Sequence, residues 1–168
     1  MGHTACRSGE TLGTSLHTII YTTSGEHVGT RWVRAEPESA AIIRHEIARE
    51  LLDEGVDPEV VDDAMLVVSE LVGNSIRHAR ALPAGQLAIT WKHTPGGVTI
   101  RVTDGGGPQR PRPRSATPYG TTGRGLSIVA ALTDFWGVSH DPDTVTVWAH
   151  LPQHRVPERP ATQVAISV

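Results

Sequence analysis

The stretch Asp63–Ala79, DAMLVVSELVGNSIRHA, decides the reading of this chain. Met65, Val68, Val72, Ile76 and Ala79 recur at helical spacing, continuing a stripe that begins at Val61. Just upstream, Asp57–Pro58 supplies an N-cap and a proline at the first helical position, so a helix is predicted from Pro58 to about Ala79. Glu70, Asn74 and Arg77 fall on one stripe opposite the apolar one. That polar stripe has two readings. It can be an ordinary solvated face. Asparagine, however, is a poor helix-interior residue unless its side chain is used. Glu70 and Asn74, four residues apart, also bring a carboxylate and an amide oxygen to one point, an arrangement that suits a hard cation or a hydroxyl nucleophile.

Upstream of this helix, Arg31–Ala35 is a short strand candidate. Pro37 and Glu38 open a second helical pattern with Ala40, Ile43, Ile47 and Leu51 inward, and Gly55 is placed to end it in a left-handed conformation. Downstream, Leu87, Ile89 and Trp91 alternate with polar residues, as do Val98, Ile100 and Val102, and Pro95-Gly96-Gly97 between them makes a β-hairpin. Residues 105–122 are rich in Gly, Pro and Arg and form a loop of roughly 18 residues, a length that is often functional. A third helix follows, with Leu126, Val129, Leu132 and Trp136 inward. A last hairpin pairs about Phe135–Ser139 with Thr144–Leu151. The expected fold is α+β: a two-layer α/β sandwich whose mixed, mostly antiparallel sheet is covered on one face by three helices.

Residues 1–28 show no sustained period and read as a flexible N-terminal arm, within which Leu16–Tyr21 can form a short strand. Residues 29–151 form the domain, and 152–168, with Pro152, Pro157 and Pro160, an extended C-terminal tail.

Composition narrows the function. The chain has 168 residues and a net charge of −3, which fits one domain with tails and argues against nucleic acid as a direct partner. Cys6 is the single cysteine, so no intrachain disulfide forms and nothing argues for an oxidising compartment. No apolar run reaches the length of a bilayer span, and no signal peptide is readable. Of the 15 basic residues, all but Lys92 are arginine. Lys92 has no Gly-rich run before it, which excludes a phosphate-binding loop built on an essential lysine. The nine histidines form no helical H-x-x-x-H or H-E-x-x-H pair, against a zinc site.

Two further places can carry chemistry. Asp104-Gly105-Gly106-Gly107 is at least a turn, and can be a carboxylate at a strand end whose glycines let a flat ligand approach the backbone. Gly123-Arg124-Gly125, opening the third helix, is either a flexible junction or a phosphate site made of backbone N–H groups and a guanidinium. Taken alone, each is weak.

In order they are specific. E-x-x-x-N on a helix, D-x-G after a strand, a long lid loop and G-x-G opening a helix resemble the GHKL superfamily, the Bergerat-fold ATPases and kinases. Within it the chain is similar to the bacterial anti-sigma factor serine/threonine kinase branch, through Asp63–Ala79, Val102–Pro108, Gly123–Val138 and Thr146–Ala149. The resemblance covers about Trp32–Leu151. It implies ATP and Mg²⁺ as cofactors, with Asn74 holding the metal through its amide oxygen and Glu70 acting as general base. It implies that Asp104 accepts the adenine exocyclic amine and that Gly106 lets the backbone pass close to the base. By the same resemblance Gly123, Arg124 and Gly125 face the phosphates, Arg77 can reach them, His78 stands nearby, and Thr146 supports the adenine pocket.

Two features depart from the family pattern. Gly73 replaces a small β-branched or polar residue and loosens the helix by up to ~1 kcal/mol. The lid, with its Arg110–Arg114 alternation of arginine and proline, lacks the glycine pattern of histidine kinases. The resemblance implies a cytoplasmic protein that binds a sigma factor and phosphorylates a Ser or Thr of an anti-anti-sigma partner, with no membrane partner and a homodimer left open. The alternative is a non-catalytic, ATP-gated protein-binding module.

Overall fold

The computed structural model describes residues 6–8, 17–21, 27–107, 125–154 and 162–163. In chain order the elements are β1 (Cys6–Ser8), β2 (His17–Tyr21), β3 (His27–Arg34), α1 (Pro37–Asp53), α2 (Pro58–His78), β4 (Gln86–Thr94), β5 (Gly97–Asp104), α3 (Gly125–Leu132), β6 (Phe135–His140), β7 (Val145–Pro152) and β8 (Thr162–Gln163). They form one eight-stranded sheet in the order β1-β2-β3-β4-β5-β7-β6-β8. Every pairing is antiparallel except β6 with β8. Because β7 returns beside β5, the chain between them must carry α3 and β6 out and back. That detour brings the start of α3 to α2.

One face of the sheet is apolar. Leu87, Ile89 and Trp91 of β4, Val98, Ile100 and Val102 of β5, and Val147, Ala149 and Leu151 of β7 are buried beneath the helices. The period-2 alternation sends their neighbours, such as Thr103 and Thr146, to the other face. Among the described residues the result is the expected two-layer α+β sandwich with three α-helices.

Local chemistry sets the helix limits. Asp57 caps α2 through its side chain, which accepts from the Glu59 N–H at 2.9 Å, with Pro58 at the first helical position. Past the end of α1, Gly55 takes φ +76, the left-handed turn its place in the sequence suggested. The buried face of α2 is broader than a single stripe: Val60, Val61, Ala64, Val67, Val68, Leu71, Val72 and Ser75 are all buried. Met65 and Ile76 are only partly so, although the periodicity put both inward. The physical reason is that α2 packs against the sheet and against α1 at once, so its apolar face must turn two ways.

Strand β3 starts at His27, four residues before the expected Arg31, and β2 coincides with most of the short strand foreseen at 16–21. Strands β1 and β2 lie within residues 1–28 and extend the sheet beyond β3. The Arg110–Arg114 segment falls outside the described residues.

Candidate functional site

The polar stripe of α2 meets the start of α3. Glu70 and Asn74 are half-buried on adjacent turns. A Cβ built on Gly125 would come 2.5 Å from Glu70 Oε2, 3.1 Å from Asn74 Nδ2 and 3.3 Å from Asn74 Oδ1. Glycine at 125 is therefore what allows a carboxylate, an amide and a helix N-terminus to converge. Gly123 and Arg124, the other two residues of that motif, lie outside the described residues.

Arg77 joins the same group. Its Nη2 donates to Asn74 Oδ1 at 3.1 Å, and its guanidinium lies over Gly73, where a Cβ would be 3.1 Å from Nη1. The glycine that weakens the helix thus makes room for a cation beside the amide. His78 is exposed at the end of the helix.

Asp104 closes the other side. It is 4% exposed at the end of β5, on the helix-facing side of the sheet. Ser75 Oγ donates to its Oδ2 at 2.6 Å, and the Gly106 N–H donates to its Oδ1 at 2.8 Å. The Gly106 backbone sits at φ +71, where a side chain is strained. Two main-chain bonds latch this turn to the residue after α2's C-cap: Gly105 N–H to Arg80 O at 2.8 Å and Arg80 N–H to Gly106 O at 2.7 Å. The Asp104 loop and the end of α2 are therefore one rigid corner.

Thr146 is not brought to this corner, which corrects the expectation that it supports a pocket at Asp104. In the β5–β7 register Thr103 opposes Thr146 and Asp104 opposes Val145. Alternation puts Thr146 on the far face, where its hydroxyl bonds Thr103 Oγ1 at 2.8 Å. Val145 stands beside the corner instead, its Cγ2 3.1 Å from where a Cβ of Gly106 would be.

Sequence reading missed Ser75. The available signal was its place in the buried ridge, four residues after Leu71, since a hydroxyl there needs a partner. It also missed a buried polar cluster between α1 and the sheet. His27 of β3 contacts Glu50 and Glu54, His93 Nδ1 lies 2.9 Å from Glu54 Oε2, and Trp91 Nε1 donates to Glu50 Oε2 at 3.2 Å. Burial pushes the Glu50 carboxyl up to about 7, against the Trp91 N–H that draws it down. Burial also raises Glu54, opposed by its hydrogen bond from His93.

Residues 33–151 match the family described as the histidine kinase-like ATPase domain. The chain belongs to that family. The match runs from the end of β3 to β7, so it contains both the Glu70–Asn74–Gly125 convergence and the Asp104 corner. A comparison with curated proteins gives no match. Membership in the histidine kinase-like ATPase family makes this an ATP-binding domain of the GHKL type, with ATPase- or kinase-like chemistry. Among the described residues, no helix is long and apolar enough to cross a membrane.

Proposed function

We propose that this member of the family is a regulatory protein kinase of the anti-sigma factor type. It uses Mg²⁺-bound ATP to phosphorylate a Ser or Thr of an anti-anti-sigma partner, and it binds a sigma factor. The observation that carries the reading is the convergence of Glu70 and Asn74 on Gly125, with Asp104 locked at the neighbouring corner.

In this reading Asp104 accepts the adenine amine, and the start of α3 faces the phosphates. Asn74 offers its amide oxygen to Mg²⁺. The space that a Cβ at 125 would fill is the feature that fits such an ion. Among the described residues no group of three or more His, Cys, Asp or Glu is placed to hold a metal. The ion would therefore take most of its ligands from phosphate and water, as Mg²⁺ commonly does. When bound, Mg²⁺ supplies charge neutralisation at the phosphates. Glu70 orients the partner's hydroxyl and takes its proton as the oxygen bonds to the γ-phosphorus. The bond from the γ-phosphorus to the bridging oxygen breaks, and ADP leaves.

The test is incubation of the full chain with γ-labelled ATP and each candidate anti-anti-sigma protein. Label on a Ser or Thr of one candidate, absent with Glu70→Ala, supports the kinase. No label anywhere, with ATP-dependent retention of a partner, leaves the gated binding module as the function.

A further inference from the structure

The α2–β5 corner contains a buried serine that the proposed chemistry does not use. Ser75 is 5% exposed and ends the buried ridge formed by Val68, Leu71 and Val72. A buried hydroxyl on a helix has two outlets. It can bond back to the carbonyl four residues earlier, or it can reach a partner on another element. Ser69, half-buried on α2, and Thr133, buried just past the end of α3, take the first outlet, donating to Met65 O and Val129 O, each at 2.7 Å. Ser75 takes the second, donating to Asp104 Oδ2 at 2.6 Å across 29 residues of sequence.

We infer that Ser75 is a positioning residue that sets base discrimination through Asp104, making the corner selective for a purine nucleotide with an exocyclic amine at position 6 over its 6-oxo counterpart. The inference rests on the reading of Asp104 as the adenine acceptor. The physical reason is rotational. Asp104 is held by two donors on different oxygens, Ser75 on Oδ2 and the Gly106 N–H on Oδ1. One donor alone would leave the carboxylate free to swing about its terminal torsion, which is broad for aspartate. Two donors fix its plane, so the remaining lone pairs present a fixed acceptor. Such an acceptor attracts an amine and repels a carbonyl oxygen. Discrimination by a buried polar group depends on that group being unable to turn away from the wrong partner.

The experiment uses the full chain and calorimetric titration with ADP and IDP, which differ in the 6-amino or 6-oxo group and in the proton that the 6-oxo ring carries on N1. Wild type should prefer ADP. Ser75→Ala should remain folded by circular dichroism and reduce the ADP-to-IDP preference by about tenfold or more. Ser75→Thr, which keeps the hydroxyl, should retain the preference. In an Asp104→Asn background, Ser75→Ala should have no further effect on the preference, since the serine acts only through that carboxylate. Equal weakening of both nucleotides by Ser75→Ala, or no change in either, overturns the inference while leaving Asp104 as the base reader. If Ser75→Ala fails to fold, the Thr variant decides: a folded Thr protein without the preference overturns it. An Asp104→Asn protein that binds both nucleotides like wild type overturns the adenine reading itself, and the inference with it.

Discussion

Gly125, the first residue of α3, lies so close to Glu70 that a Cβ on it would come 2.5 Å from the carboxylate oxygen Oε2. The two residues belong to helices joined by the whole β4–β5 hairpin and the loop after it. Their closeness is a tertiary event, and the proposed chemistry depends on it. Gly125→Ala should leave the fold within about 1 kcal/mol of wild type in urea unfolding, because the Glu70 carboxylate ends a flexible chain and can yield. Binding of ATP should fall at least about tenfold, as the methyl group and the displaced carboxylate fill the space between α2 and α3. Wild-type ATP affinity in a folded Gly125→Ala protein would place the nucleotide elsewhere.

The two site residues of α2 should separate in their effects. Glu70→Ala is expected to bind Mg·ATP nearly as wild type while losing about 10²–10⁴-fold in transfer, the range of a positioned base. Asn74→Ala should damage both, since the metal it would hold links binding to chemistry. It also removes the acceptor for Arg77. Calorimetry and partner labelling on the same preparations compare the two. Loss of ATP binding in Glu70→Ala would assign that carboxylate to the metal or to structure.

Stability should depend on pH through Glu50. Its carboxyl titrates near 7 in the folded protein against an ordinary value of 4.5, so the folded state holds the proton more tightly than the unfolded state. The stability that this proton provides is present in full below about pH 4.5 and is lost as pH rises through about 7. Glu54 is shifted in the same direction. Glu50→Gln should therefore flatten, without abolishing, the fall in urea midpoint from about pH 5 to about pH 8. An unchanged slope would mean that His27, against the Glu50 carboxylate, keeps Glu50 ionised in the fold.

Gly29 faces Trp91 directly across β3 and β4, and a Cβ there would run into the indole ring. Trp91 is 1% exposed and is tied to Glu50 by its N–H, so it has little room to move. Gly29→Ala should cost about 1–3 kcal/mol, the usual penalty of overpacking a tight core. Urea unfolding followed by tryptophan fluorescence measures it. A neutral effect would show that the indole can slide along the sheet.

Much of this molecule is legible in its residues, because much of it is set by local physics. Asp57–Pro58 and Gly55 mark helix ends through capping and backbone freedom, and α2 and α1 begin and end there. The alternation in Leu87–Trp91 and Val98–Val102 assigns those residues to one face, and they are buried on it. Glu70 and Asn74 share a helix, so their common stripe needs nothing but the 3.6-residue period.

What local physics leaves open is decided by register and by packing between elements. Thr146 and Val145 are neighbours in β7, and only the pairing of Asp104 with Val145 determines which of them stands at the corner. A one-residue change of register would put Thr146 opposite Asp104 and turn every side chain of β7 to the other face, against the apolar alternation of Val145, Val147, Ala149 and Leu151. Glu50 looks like another charged residue on a helix until the sheet folds beneath it and puts Trp91 and His27 against its carboxylate. Ser75 likewise becomes part of the site only when β5 ends beside α2 and Asp104 comes within 2.6 Å of its hydroxyl. The sequence by itself determined the helices, the strands and the Glu70–Asn74 stripe, since each depends on contacts a few residues apart. Tertiary structure alone decided the partners of Thr146, Glu50 and Ser75, because those partners lie tens of residues away and are chosen by which faces the sheet and helices bury together.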